Sequence, residues 1–179
     1  MKTIFENNII RLREAMLEDA EELLKLTNDE EVMRYYGMGA YNNIDEAEEE
    51  IKWFLNLSEE DKGVRWVIAD RDSNNYVGDV GIFNLSKNHN RIEIGFKLNK
   101  EYWNKGIMRE CIKRVLEFGF NEKRYNRIEA LVDKRNIGCK KTLESNGFKL
   151  DGLLREYEYE NGEYVDLEMY SILRREYKK

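Results

Sequence analysis

Between a strand-like stretch, "RIEIGFKLN", and a helix-like one, "IKRVLEFGF", the chain reads "KEYWNKGIMREC", residues 100–111. One glycine, Gly106, sits at the seam. A strand that passes through a Gly-containing turn into a helix makes an anion site. The first helical N–H groups have no internal partner, and the helix dipole adds positive character there. Gly106 lets a phosphate approach the backbone with no Cβ in the way. Lys105 and Arg109 add positive charge nearby. The same glycine also suits a plain tight turn at a helix start, and both readings stand on the turn alone. The segment is neither a G-x-G-x-x-G dinucleotide fingerprint nor a P-loop, because Gly106 stands alone and no G-K-[ST] follows.

The elements that position this turn follow from periodicity. "NIIRLREAM" reads as a first strand at about residues 9–13. "MLEDAEELLKLTND" reads as a helix with Ala20, Leu23, Leu24 and Leu26 apolar, acidic residues early and Lys25 late, which suits the dipole. "NNIDEAEEEIKWFLNL" is a second helix, capped by Asn43 or Asp45, with a stripe of Ile44, Ala47, Ile51, Phe54 and Leu55. An aromatic, glycine-rich loop, "RYYGMGAYN", lies between them. "VRWVIADRDSNNYVGDVGIFNL" gives two strands around a hairpin turn. "RIEIGFKLN" alternates Ile92, Ile94, Phe96 and Leu98 against Arg91, Glu93 and Lys97. A helix over about 106–121 follows, then the strand "RIEALVD". The short helix "NIGCKKTLESNGF" ends at Gly147, a left-handed C-cap, and two final strands join through "ENGE".

The order β, α, α, β, β, β, α, β, α, β, β predicts an α/β (α+β) architecture over residues 1–179, read as one domain. It has a central mixed sheet of about seven strands with about four helices on its faces. The 179 residues suffice for a sizeable core, and 41% hydrophobic with 37% charged is a globular composition. A net charge of −6 leaves no global basic footprint for nucleic acid and mildly favours cationic partners. No apolar run is long enough for a membrane helix, and the start of the chain has no long apolar h-region, so a cytoplasmic location is expected. One histidine makes a His-based zinc site unexpected, and two cysteines make no disulfide framework. His89, in "SKNHNR", reads as a surface turn residue and Cys111 as core.

"IEIGFKLNKEYWNKGIMRECI" resembles the acetyl-CoA-binding segment of the GNAT N-acetyltransferase superfamily, in its ribosomal-protein (RimJ/RimL-type) branch. "RIEALVDKRNIGCKKTLESNGFKLDGLLRE", "NGEYVDLEMYSIL" and "IIRLREAMLEDAEELLKL" extend the resemblance over nearly the whole chain. It implies the GNAT fold with a mostly antiparallel sheet, and acetyl-CoA as co-substrate. The pyrophosphate loop [QR]-x-x-G-x-[GA] falls on Trp103, Asn104, Lys105, Gly106, Ile107 and Met108. Trp103 departs from the superfamily but is usual in this branch. The resemblance implies that amides of residues 105–109, Arg109 included, hold the pyrophosphate. Phe96, Lys97 and Leu98 would lie along the pantetheine arm, and Asn136 matches the Asn of the branch's "N-x-x-S". Lys140 and Lys141 fit either the 3′-phosphate or a solvated helix face, and Glu110 and Glu144 read as structural.

Acetyl transfer requires a neutral amine, donors for an oxyanion, a proton for the thiolate and two aligned reactants. A backbone N–H near Leu98 is the expected oxyanion donor. Glu93, acidic on a core-facing strand, is the candidate base, directly or through water; its other readings are a solvated strand position or an ion pair with Arg91. The Tyr that serves as acid in many GNAT enzymes falls on Leu143, and the Ser of this branch falls on Cys139. Cys139 is therefore the candidate acid, or else a buried, inert thiol on a helix. No metal and no acyl-enzyme are implied. The expected acceptor is a protein N-terminal α-amine. The alternatives are a small amine (polyamine, amino acid or aminoglycoside), or an acetyl-CoA-binding module without catalysis. Loops around "RYYGMGAY" and "YEYENGEY" would form the acceptor site, in a monomer or a homodimer.

Overall fold

A computed structural model describes residues 2–160 and 162–177, and alternating apolar residues build the central ones of the eight strands found among them. The strands are β1 (Thr3–Glu6), β2 (Ile10–Arg13), β3 (Val64–Asp70), β4 (Tyr76–Ser86), β5 (Arg91–Leu98), β6 (Arg127–Asp133), β7 (Lys149–Glu160) and β8 (Glu163–Leu173). They form one sheet in the order β1-β2-β3-β4-β5-β6-β8-β7. β5 and β6 pair in parallel, and the other neighbours are antiparallel. Among the described residues five α-helices accompany it: α1 (Ala20–Thr27), α2 (Glu30–Met33), α3 (Ile44–Glu59), α4 (Ile107–Glu117) and α5 (Ile137–Ser145).

Period-two alternation gives the central strands two buried faces. Trp66, Ile68, Ile82 and Ile92 pack with Ile112, Val115 and Leu116 of α4. Val67, Ala69 and Tyr76 pack with Leu23 of α1 and Ile51 and Phe54 of α3. Asn43 caps α3 by accepting from the Glu46 amide at 3.1 Å, a bond worth about 1 kcal/mol. Gly147 ends α5 at φ +89, the left-handed conformation expected of it.

The expected architecture is present, with differences. The sheet has eight strands rather than seven, because Thr3–Glu6 pairs with Ile10–Arg13. Four residues without a full apolar alternation carry little signal for a strand. Glu30–Met33 adds a one-turn helix, started by Asp29 accepting from the Glu31 and Val32 amides. α4 ends at Glu117 and continues as a π-helical turn, Phe118–Glu122. His89 is exposed in a short turn, Cys111 is fully buried, and the turn at Asn161 lies outside the described residues.

The β5–β6 pairing is short. It runs Arg91↔Arg127, Ile92↔Ile128 and Glu93↔Glu129, and stops there. β5 continues beside β4 to Leu98, and β6 beside β8 to Asp133. The two parallel strands therefore part, and a notch opens between their carboxyl ends. Each then leads into a helix, α4 or α5, so both helix N-termini flank the same end of the notch.

Candidate active site

The Asn99 amide donates to the Val77 carbonyl at 2.8 Å, on the β4 side. Alternate residues of a strand turn their polar groups to opposite sides. Lys97 and Gly95 therefore face β4, and the amides and carbonyls of Phe96 and Leu98 face the notch. The Leu98 carbonyl accepts from Trp103 Nε1 at 2.7 Å, which ties the following turn back to the notch wall.

That turn is shaped by two left-handed residues, Asn104 at φ +59 and Gly106 at φ +74. The first backbone bond into α4 is from the Glu110 amide to the Gly106 carbonyl at 3.2 Å. The amides of residues 107–109 precede it and are the free donors of a helix start. Ile107 and Met108 bury their side chains and anchor the helix, while Lys105 and Arg109 are exposed at its mouth. A Cβ built on Gly106 would meet nothing within 4 Å. Open space, free amides and two cations fit a pyrophosphate here.

On the other rim, Asn136 Oδ1 accepts from the Cys139 amide at 3.0 Å and caps α5, which leaves its Nδ2 to donate elsewhere. Cys139 packs half-buried against the α4-side core. Burial pushes its thiol up to about 12, so it stays protonated through the neutral range. Lys140 is engaged with the Lys134 carbonyl and Glu168, whereas Lys141 is exposed. Leu143 is fully buried.

Glu93 lies on the opposite face, toward α3, at the point where the strands part. Asn84 Nδ2 donates to it at 3.0 Å. Arg91, its alternative ion-pair partner on sequence grounds, is committed to Glu129 instead, as is Arg127 at 2.6 Å. Among the described residues Glu93 makes no salt bridge, so its carboxylate is unneutralised.

Lys97 is placed differently from expectation. Its side chain leaves the notch and is buried on the α3 face, 2.9 Å from both Asp79 and Glu50. Alternation along β5 puts it opposite Phe96 and Leu98, and α3 then covers it. Arg65 joins the group through Asp79 at 2.7 Å. Burial alone would lower Lys97, but the Asp79 and Glu50 charges outweigh it and hold it protonated. Burial likewise pushes Asp79 up, and Arg65 and Lys97 reverse this and hold it ionised. This cluster was missed in the sequence. Its one signal is a charge inside each of two apolar strands, "VRWVIA" and "YVGDVG".

Comparison with known proteins agrees with this geometry. A protein of Bacillus subtilis (strain 168), "Uncharacterized N-acetyltransferase YoaA", is 35% identical over 174 residues, 97% of this chain and 98% of that one. The spermidine N-acetyltransferase of Vibrio cholerae, solved with CoA and spermine, superposes with a TM-score of 0.80 at 26% identity, covering 95% of this chain and 98% of that one. RimL, a ribosomal L7/L12 α-N-protein acetyltransferase solved with coenzyme A, superposes with a TM-score of 0.86 at 18% identity, covering 96% and 98%; this likeness bears on the fold. Residues 10–149 match the family described as "Acetyltransferase (GNAT) domain". With the notch, the exposed helix start and the splayed parallel pair in their places, the chain belongs to the GNAT family and is an acetyl-CoA-dependent N-acetyltransferase.

Proposed function

We infer that the chain transfers the acetyl group of acetyl-CoA directly to a primary amine held on the α3 face of the notch. The observation that carries this is the parting of β5 and β6 after Glu93–Glu129, with a helix N-terminus on each rim. The thioester supplies the electrophile. The amides of residues 105–109, with Lys105 and Arg109, hold the pyrophosphate. Phe96, Leu98 and Asn136 line the arm, and Lys141 is free to meet the 3′-phosphate. Glu93 takes the ammonium proton, directly or through water, since only the neutral amine attacks. The notch-facing amide of Leu98 or Phe96 stabilises the oxyanion. Cys139 Sγ–H returns a proton to the leaving sulfur. A leaving thiolate beside it is desolvated too, which narrows the gap between their proton affinities.

The acceptor we favour is a protein N-terminal α-amine. Exposed Tyr157, Tyr159 and Tyr164 on the β7–β8 hairpin give an extended peptide aromatic surface to lie on. One observation favours a second reading, a polyamine such as the substrate of the Vibrio cholerae relative. Glu158 and Glu160 reach the loop at Gly37 and share hydrogen bonding there. Thiol release from acetyl-CoA, measured across N-terminal peptides, polyamines, amino acids and aminoglycosides, decides between them. Saturable turnover confined to peptides supports the first reading, and turnover confined to polyamines replaces it. Acetyl-CoA binding by calorimetry without release for any amine would overturn both.

A further inference from the structure

The loop from Arg34 to Asn43 joins α2 to α3 and has feet on both sides of the notch. On the β3–β5 side, the Tyr36 hydroxyl accepts from Arg65 Nη2 at 2.6 Å, and the Tyr36 ring lies 5.1 Å from Lys97 Nζ. Tyr41 donates its hydroxyl proton to Glu50 Oε2 at 2.6 Å, and Glu50 Oε1 accepts from Lys97 at 2.9 Å. Lys97 and Arg65 meet again on Asp79, to which Tyr76 also donates. Two cations and two anions thus close on one another, and two loop tyrosines end on them.

On the other side, the Arg135 guanidinium stacks over the Tyr35 ring at 5.6 Å, and Arg135 is itself fixed by Asp133 and Glu163. A Cβ added at Gly37 would lie 3.0 Å from Glu160 Oε1 and 3.5 Å from Glu158 Oε2, so the loop backbone touches the β7–β8 hairpin. The loop spans the α3-side opening of the notch, rooted on β3–β5 and resting on β6–β8.

Stability does not account for the charges beneath it. Well-packed apolar residues of the same volume are usually as stable as a buried ion set, or more so. What an apolar set could not do is hold two phenolic hydroxyls at fixed points. Lys97 is also the residue between Phe96 and Leu98, whose amides face the notch, so one strand segment carries the cofactor wall along its edge and the loop's anchorage on its α3 face.

We propose that the segment 34–41 is a strap over the acceptor side of the notch, and that Arg65 and Lys97 are positioning residues that fix its tyrosine feet for amine binding. This rests on the acetyltransfer reading. Replacing Lys97 directly risks misfolding by leaving Asp79 and Glu50 short of a cation, so the test removes only the hydroxyls, in Tyr36→Phe, Tyr41→Phe and the double variant. In the protein without acetyl-CoA, hydrogen exchange at amides 34–41 should quicken by about tenfold or more, while β3–β5 stay protected. In turnover, the amine KM should rise by about tenfold with the acetyl-CoA KM within about twofold. Unchanged exchange in the double variant would overturn the strap. Amine and acetyl-CoA KM rising together with a lower Tm would reduce it to ordinary structure. The exchange arm needs no turnover, so failure of the strap and failure of the acceptor reading are separate results.

Discussion

Glu93 and Glu129 are the last residues of β5 and β6 in register, and only Glu129 is neutralised. Two carboxylates on adjacent strands repel unless their charges are met. Arg91 and Arg127 both close on Glu129, which is buried, while Glu93 keeps only a neutral donor, Asn84. The sheet thus presents one free carboxylate where the strands separate.

Glu93→Gln keeps the shape and the Asn84 contact and removes the proposed base. The expected result is a loss of kcat of about 10²-fold or more with acetyl-CoA affinity unchanged, and a pH–rate profile of different shape. Steady-state kinetics over pH with calorimetry checks this; an unchanged profile would take Glu93 out of the mechanism.

Gly106→Ala separates binding from folding. At φ +74 a Cβ costs about 1 kcal/mol, which lowers Tm by about 2–4 °C. No protein atom lies within 4 Å of that Cβ, so the remaining effect falls on what occupies the open space. Acetyl-CoA Kd should rise by about tenfold or more, equivalent to about 1.4 kcal/mol. Equal affinity in calorimetry would place the pyrophosphate elsewhere.

Cys139→Ala should lower kcat by about tenfold, with Cys139→Ser recovering part of it, because a hydroxyl also donates. Full turnover in the alanine variant would mean that solvent supplies the proton.

Glu160 gives a pH signature. Burial and the neighbouring Glu158 raise its pKa, so the folded state holds that proton more tightly than the unfolded chain does. Its contribution favours folding below the ordinary carboxylate range and is lost as pH rises through the raised value. Glu160→Gln should therefore raise Tm at pH 7 by roughly 1–2 °C, since a partly exposed pair is worth less than about 1 kcal/mol. The gain should vanish near pH 4, where the wild-type carboxyl is protonated. Thermal melts at the two pH values check the sign.

What was legible in the sequence depended on how far apart the interacting residues lie. Gly106, Lys105 and Arg109 sit within one turn, and Asn136 caps its own helix, so local spacing carries them. The parting of β5 and β6 leaves no local trace, because both strands stay strand-like and largely apolar beyond their last shared pair. The Arg65–Asp79–Lys97–Glu50 cluster joins residues 14 and 47 positions apart, and each one alone reads as a solvated charge. Alternation did put Lys97 on the face opposite Phe96, but only the packing of α3 turns that face into an interior.

The stop at Glu93–Glu129 has a topological consequence. A flat ladder has two free borders, at its outermost strands; this one gains two more in its middle, along residues 94–98 and 130–133. Free borders invite other chains to pair, which is a hazard when they are long and lie at the rim of a molecule. These inner borders are short and diverge, so no second strand can pair with both. A slender molecule with amide groups of its own would pair along one border and so extend the ladder that the protein leaves unfinished.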